Sequence, residues 1–190
     1  MHQKPAPTPT LLLISGPPGA GKSTLGRSLA RALCAAILDK DCIDEPFSPG
    51  DRGPTYTREV EPRVLAALLN LAQLNLETGL TVLLDVPWTH ILLNSPEWID
   101  RIQALAVRCK ATLRVVELGL SESALRARLL SRGLDRDQSK LATEEGWTRF
   151  RVTDRLGEAN PIPGFILLNA EQSPDQVLDS ALRALRACKT

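Results

Sequence analysis

The sequence predicts an α/β domain in which a parallel sheet carries helices on both faces. Three observations lead there. Short apolar runs alternate with longer stretches whose apolar residues recur at helical spacing, the pattern of strands and crossover helices. One run, Thr81-Val82-Leu83-Leu84-Asp85-Val86, is apolar except for one late carboxylate, as a strand buried on both faces must be. A chain of 190 residues with 43% hydrophobic content suffices for one well-buried core, but not for two ordinary domains with linkers. The expected frame is a three-layer fold around a five-stranded sheet of order 2-3-1-4-5, with right-handed crossovers. It forms a single domain over 10–190, with a frayed tail over 1–9 and a small lid at about 132–143.

Taken in order, Leu11-Leu12-Leu13-Ile14 reads as the first strand, and Thr24 to Leu33 as a helix with Leu25, Leu29, Ala32 and Leu33 on one face. Ala35-Ala36-Ile37-Leu38 is the second strand, ending in the acidic cluster Asp39-Lys40-Asp41 and then Asp44-Glu45. A Pro/Gly-rich loop follows from Pro46 to Pro54. Apolar residues from Val60 to Leu76 predict one or two helices, with Pro62 forcing a start or kink and Gly79 a stop. The third strand is Thr81 to Val86. Ser95-Pro96-Glu97 opens a helix that continues to about Cys109, with the hydroxyl as cap and proline at the first helical position. Leu113 to Leu118 is the fourth strand, Ser121 caps a helix containing Leu125, Leu129 and Leu130, and Arg132 to Lys140 is too polar for core. Phe165 to Leu168 makes the fifth strand and Pro174 to Cys188 the last helix.

Between the first strand and first helix lies Gly16-Pro17-Pro18-Gly19-Ala20-Gly21-Lys22-Ser23-Thr24, a complete G-x-x-x-x-G-K-[ST] phosphate-binding loop. Its glycines let successive amides point at one spot, and the helix N-terminus adds partial positive charge there. Lys22 supplies a cation for the β- and γ-phosphates, and the Ser23 hydroxyl a ligand for Mg²⁺. Ligands of parallel sheets bind beyond the carboxyl ends of the strands. The loop, the acids after strand two and Asp85 after strand three should therefore converge on one crevice.

Composition narrows the partners. With 23 Lys+Arg against 22 Asp+Glu, no global field recruits nucleic acid or an acidic membrane. Cys34, Cys42, Cys109 and Cys188 form no C-x-x-C pair, and His2 and His90 are too isolated to complete a zinc set. A reducing cytoplasm suits such cysteines. The four-residue apolar run behind the Pro-rich start is too short for a secretory or membrane segment.

The pieces GPPGAGKST, LDKDCID, TVLLDVPW and LRARLLSRGLDRDQSKL, in this order and spacing, resemble the P-loop small-molecule and polynucleotide kinases. That family includes chloramphenicol phosphotransferase, zeta toxins and the kinase half of T4 polynucleotide kinase. The resemblance runs from Leu11 to about Leu185 and implies an ATP- and Mg²⁺-dependent kinase. It implies that Asp41, nineteen residues after Lys22, is the general base on the acceptor hydroxyl. A carboxylate there can hold and deprotonate an oxygen lying in line with the leaving phosphate. Asp39 is the competing choice, since only one of the two can face the crevice if the segment is still extended. Asp85 is a candidate for the Mg²⁺ sphere or for holding substrate, with a turn-capping role as the structural alternative. By similarity to lid segments, Arg128 goes to the base side of the nucleotide and Arg132 and Arg136 to phosphates, Arg132 taking part in catalysis. Guanidinium groups can stack on adenine and fork onto phosphate oxygens. Trp88, directly after Asp85 and Pro87, is placed at the acceptor pocket, whereas Trp98, at helical spacing with Ile102, is core.

Two departures from the family stand out. Asn169 ends strand five where many relatives have an acid, and the Pro-rich stretch from Asp44 to Arg58, where acceptor recognition normally lies, is idiosyncratic. The expected activity is transfer of the γ-phosphoryl group of ATP to a hydroxyl of a small molecule by a monomer or homodimer. A polynucleotide 5′-hydroxyl or nucleotide kinase is the runner-up, disfavoured by the balanced charge and the lack of a basic, aromatic-studded stripe. A nucleotide-hydrolysing switch is the third reading.

Overall fold

The hydrophobic runs become strands because each must bury alternate side chains on two opposite faces of one sheet. In the computed structural model, which describes residues 8–47, 53 and 55–187, β1 (Thr10–Ser15) sits at the centre with Leu11, Leu12, Leu13 and Ile14 all fully buried. Burying each such side chain contributes about 1.5–3 kcal/mol. β2 (Ala36–Asp39), β3 (Val82–Asp85), β4 (Thr112–Gly119) and β5 (Ile166–Asn169) complete an all-parallel sheet of order β2-β3-β1-β4-β5, as expected. Leu13 and Ile14 pair in register with Leu84 and Asp85, and Asp39 pairs with Asp85. This register brings the acids after β2 and β3 level with the end of β1.

Two layers of helices cover the sheet. On one face, α1 (Lys22–Leu33) and α9 (Pro174–Ala187) press Leu25, Leu29, Val177, Ala181 and Leu185 against Leu12, Ile14, Leu83 and Val116. On the other, α3 (Glu61–Glu77), α4 (Trp88–Asn94) and α5 (Glu97–Arg108) pack onto Leu11, Leu13, Leu84 and Val115. Pro62 sits in the first turn of α3, where its missing N–H costs no hydrogen bond, and a π-helical stretch, Tyr56–Val60, leads into it. A third cluster, Leu125, Leu129, Trp147 and Phe150, joins α6 (Glu122–Arg132) to α8 (Glu144–Thr153), with α7 (Asp135–Leu141) between them.

Three local expectations are corrected. The acidic stretch after β2 is not extended: Asp39 ends the strand and caps α2 (Lys40–Asp44), accepting from the Asp41 amide at 2.9 Å. Ser95 does not cap α5 with its hydroxyl; its carbonyl accepts from the Trp98 amide instead. The polar lid stretch folds as a helix, α7, whose fully buried Asp137 gathers Arg132 and Lys140, and Thr143 caps α8 directly after it. Residues 1–7 of the expected tail lie outside the described residues, and none of the described helices is long and apolar enough to cross a membrane.

Candidate active site

The site begins at the turn from β1 into α1. Gly16 takes φ 134° and its Cα faces the Leu118 carbonyl so closely that a Cβ would lie 2.7 Å from that oxygen. A side chain there has nowhere to go. Gly21, at φ 101°, is the residue before α1, and no side chain caps the helix. A Cβ on Gly21 would meet nothing within 4 Å, so the space in front of the helix is open. The first amides of α1 lack acceptors in their own helix and point into that space.

Lys22 folds back over the loop, donating to the Gly16 carbonyl at 2.9 Å and the Pro17 carbonyl at 3.1 Å. Burial pulls its pKa below the ordinary lysine value, while Asp85, Asp41 and Glu117 oppose that shift and Arg132 adds to it. Asp41 thus lies within the field of Lys22, and Asp39 is occupied in capping α2. Asp85 is buried, and burial raises its carboxyl pKa against the pull of Ser23 and Lys22. Its Oδ2 has no hydrogen-bond partner among the described residues. An orphaned buried carboxylate oxygen beside a serine hydroxyl is a donor set that fits a hard divalent cation.

Cavities flank the loop on two sides. A small one of about 190 Å³ is bounded by Gly21, Thr24, Arg128, Gln172 and Pro174. Arg128 donates to the Ala20 carbonyl at 3.2 Å and the Ala170 carbonyl at 2.5 Å, which fixes its guanidinium across the loop and the end of β5. A larger one of about 460 Å³ lies over the carboxyl ends of β4 and β5, reaching from Pro17 and Pro18 to Thr89, His90, Glu117 and the 151–159 segment.

Sequence reasoning missed most of that larger wall. Glu117, nearly fully buried, accepts from Thr89 Oγ1 at 2.5 Å and Asn160 Nδ2 at 3.2 Å, and Ser15 Oγ lies 2.9 Å from Thr89 Oγ1. Asp154 stands 3.7 Å from His90 Nδ1 and within reach of the Lys22 charge, its carboxyl pKa raised by burial. The signal available was the one that marked Asp85: Glu117 is a lone carboxylate late in an apolar strand.

Other predicted residues fall elsewhere. Trp88 lines neither cavity; it is fully buried among α3, α4 and α5, its indole N–H directed to the Leu84 carbonyl at 3.3 Å. Pro87 starts α4 at this point, so the ring turns into the core. Trp98 is core, as expected. Arg132 influences Lys22 but donates through Nε to Asp137 at 2.5 Å, and Lys140 donates to the same carboxylate at 2.9 Å. Arg136 lies in α7, its side chain outside what is described, as are residues 48–52 and 54 of the Pro-rich stretch.

The family of AAA domains matches residues 11–153, three quarters of the chain and every element from β1 to α8. The chain belongs to that family, a group of P-loop kinases. Among curated proteins it is similar to the shikimate kinase of Corynebacterium efficiens, 40% identical over 67 residues, which are 32% of this chain and 40% of that protein. A second shikimate kinase, from Rhodococcus erythropolis, is 46% identical over 55 residues, 29% of this chain and 32% of its own. The chain therefore spans well under half the length of these relatives. Among solved structures, a protein assigned as a kinase from Chloroflexus aurantiacus superimposes with a TM-score of 0.70 at 22% identity, over 95% of this chain and 98% of its own. The APS kinase of Mycobacterium tuberculosis, in complex with AMPPNP and APS, gives 0.65 at 16%, over 95% and 99%. These structures share the fold of this AAA domain protein.

Proposed function

We propose that this chain is an ATP-dependent phosphotransferase that moves the γ-phosphoryl group to a hydroxyl of a small-molecule acceptor. The observation that carries this reading is the meeting of a glycine cradle, Lys22 and several carboxylates beside a cavity of about 460 Å³. A pure hydrolase needs room only for water. The names of the relatives, shikimate kinase and APS kinase, support a hydroxyl acceptor.

In this reading the amides of the loop and α1 hold the phosphate tail, and the adenine occupies the small cavity between Arg128 and Pro174. Lys22 leaves the Gly16 and Pro17 carbonyls to meet the β- and γ-phosphates. Ser23 and Asp85 would hold Mg²⁺, which when bound shields phosphate charge and orients the γ-phosphoryl group. Asp41, in the field of Lys22, accepts the acceptor's proton as the hydroxyl attacks in line. Arg132 turns from Asp137 toward the phosphates as the nucleotide arrives, and Arg136 joins it from α7. Free Cys34, Cys42 and Cys109 suit a reducing cytoplasm.

The competing base is Asp154, which lines the acceptor cavity where Asp41 does not. The test is single-turnover transfer by Asp41→Asn and Asp154→Asn, with ATP affinity measured on the same preparations. The assignment expects Asp41→Asn to abolish transfer with ATP affinity within a few fold. Wild-type transfer by Asp41→Asn with loss in Asp154→Asn moves the base to Asp154.

A further inference from the structure

The acceptor cavity has a charge pattern that selects its occupant. Each nitrogen of Arg155 has a partner: its Nε and Nη2 fork onto Glu158 at 2.8 and 2.7 Å, and its Nη1 donates to the Leu93 carbonyl at 2.9 Å. Arg151 directs Nε to Glu122 Oε2 at 3.1 Å. His90 faces Asp154. Both guanidiniums of the wall are thus met by a carboxylate of the wall, and Glu117 remains as a further acid held by hydroxyl and amide donors. Four carboxylates stand against two guanidiniums around one opening.

We infer that the acceptor taken here is a hydroxyl compound with no anionic group, neutral or amine-bearing, with an apolar flank. An acceptor carboxylate or phosphate would have to compete with, or sit directly beside, the acid that each guanidinium already holds. A hydroxyl can instead donate to Glu117 or Asp154, and an amine gains from the net negative wall. Leu156 and Phe165 supply the apolar flank. This inference rests on the phosphotransfer reading and adds the charge class of the acceptor.

A cell metabolite extract divided on an anion-exchange resin tests it. Each fraction is incubated with the protein, ATP and Mg²⁺, and new products heavier by one phosphoryl group are sought by mass spectrometry. The expected result is product from the unretained, neutral and cationic fraction. Product only from the retained anions overturns the inference while leaving phosphotransfer intact. Product from neither fraction, with ATP binding normal, overturns phosphotransfer itself. Glu158→Gln releases Arg155 and provides a second readout: use of retained acceptors, including added shikimate and gluconate, should rise about tenfold relative to unretained ones. An unchanged ratio in that variant means that the paired arginine does not set the selection.

Discussion

The two walls of the candidate site, the one proposed for the nucleotide and the one proposed for the acceptor, are assembled in different ways. The first is largely local: from Gly16 to Thr24 the chain itself turns, presents amides and enters α1, with Arg128, the end of β5 and the start of α9 closing the small cavity beside it. The second is distributed, for Glu117 depends on Thr89 and Asn160, and Asp154 on His90, partners 28 to 71 residues apart in the pairs that join them. A local wall keeps its geometry as long as the strand, turn and helix persist. A distributed wall holds only while α4, β4 and the 151–160 segment stay packed together. The contrast teaches where substitutions should be selective and where they should be global.

The largest expected effect on catalysis lies in the local wall. Lys22→Ala removes the cation nearest the phosphates, and kcat/KM should fall about 100- to 1000-fold with little change in melting temperature. Trp88→Ala acts on the distributed wall through packing, since Trp88 anchors α4, which carries Thr89 and His90. Denaturant titration should show a loss of about 3–5 kcal/mol. ATP affinity measured well below the melting point should stay within a few fold, and equal loss of both functions would erase the distinction between the walls.

Asp137→Asn loosens the lid that spans the two. Arg132 and Lys140 lose a charged acceptor, so stability should drop by about 1.5–3 kcal/mol. Released Arg132 should then favour ATP over ADP more strongly, by a few fold in calorimetry.

The smallest effect is a pH effect at Asp85. Burial raises its folded pKa, so the ionised carboxylate penalises the nucleotide-free fold at neutral pH, and the penalty fades as pH falls through that raised value. Asp85→Asn should raise the melting temperature at pH 7 by about 2–4 °C, flatten its rise on mild acidification, and weaken the Mg²⁺ dependence of ATP binding. It should also move the alkaline loss of ATP binding to lower pH, because Asp85 is the largest influence raising the Lys22 pKa.

The same contrast explains what could be read from the sequence. The parallel sheet and the phosphate loop followed from contiguous apolar runs and one contiguous motif, whereas no run names the strands it will pair with. Trp88 was misplaced because closeness to Asp85 in sequence does not set the direction of a side chain once Pro87 starts a helix. The helix Lys40–Asp44 was hidden by its charge, since Asp39-Lys40-Asp41 reads as a solvated turn until the capping carboxylate is seen. The helix Glu144–Thr153 did leave a trace, the Thr143 cap followed by Trp147 and Phe150 three residues apart. Glu117 could be suspected from its strand, but no pattern in one chain names Thr89 and Asn160 as its partners.

Every role proposed for the site requires transfer to carbon-bound oxygen rather than to water. Phosphorus NMR of ATP, Mg²⁺ and an unfractionated metabolite extract, followed over time with wild type and Lys22→Ala, tests it most directly. A new phosphate monoester signal should grow with ADP in wild type and be absent in the variant. Growth of inorganic phosphate alone, matching ADP with no ester signal, would contradict it.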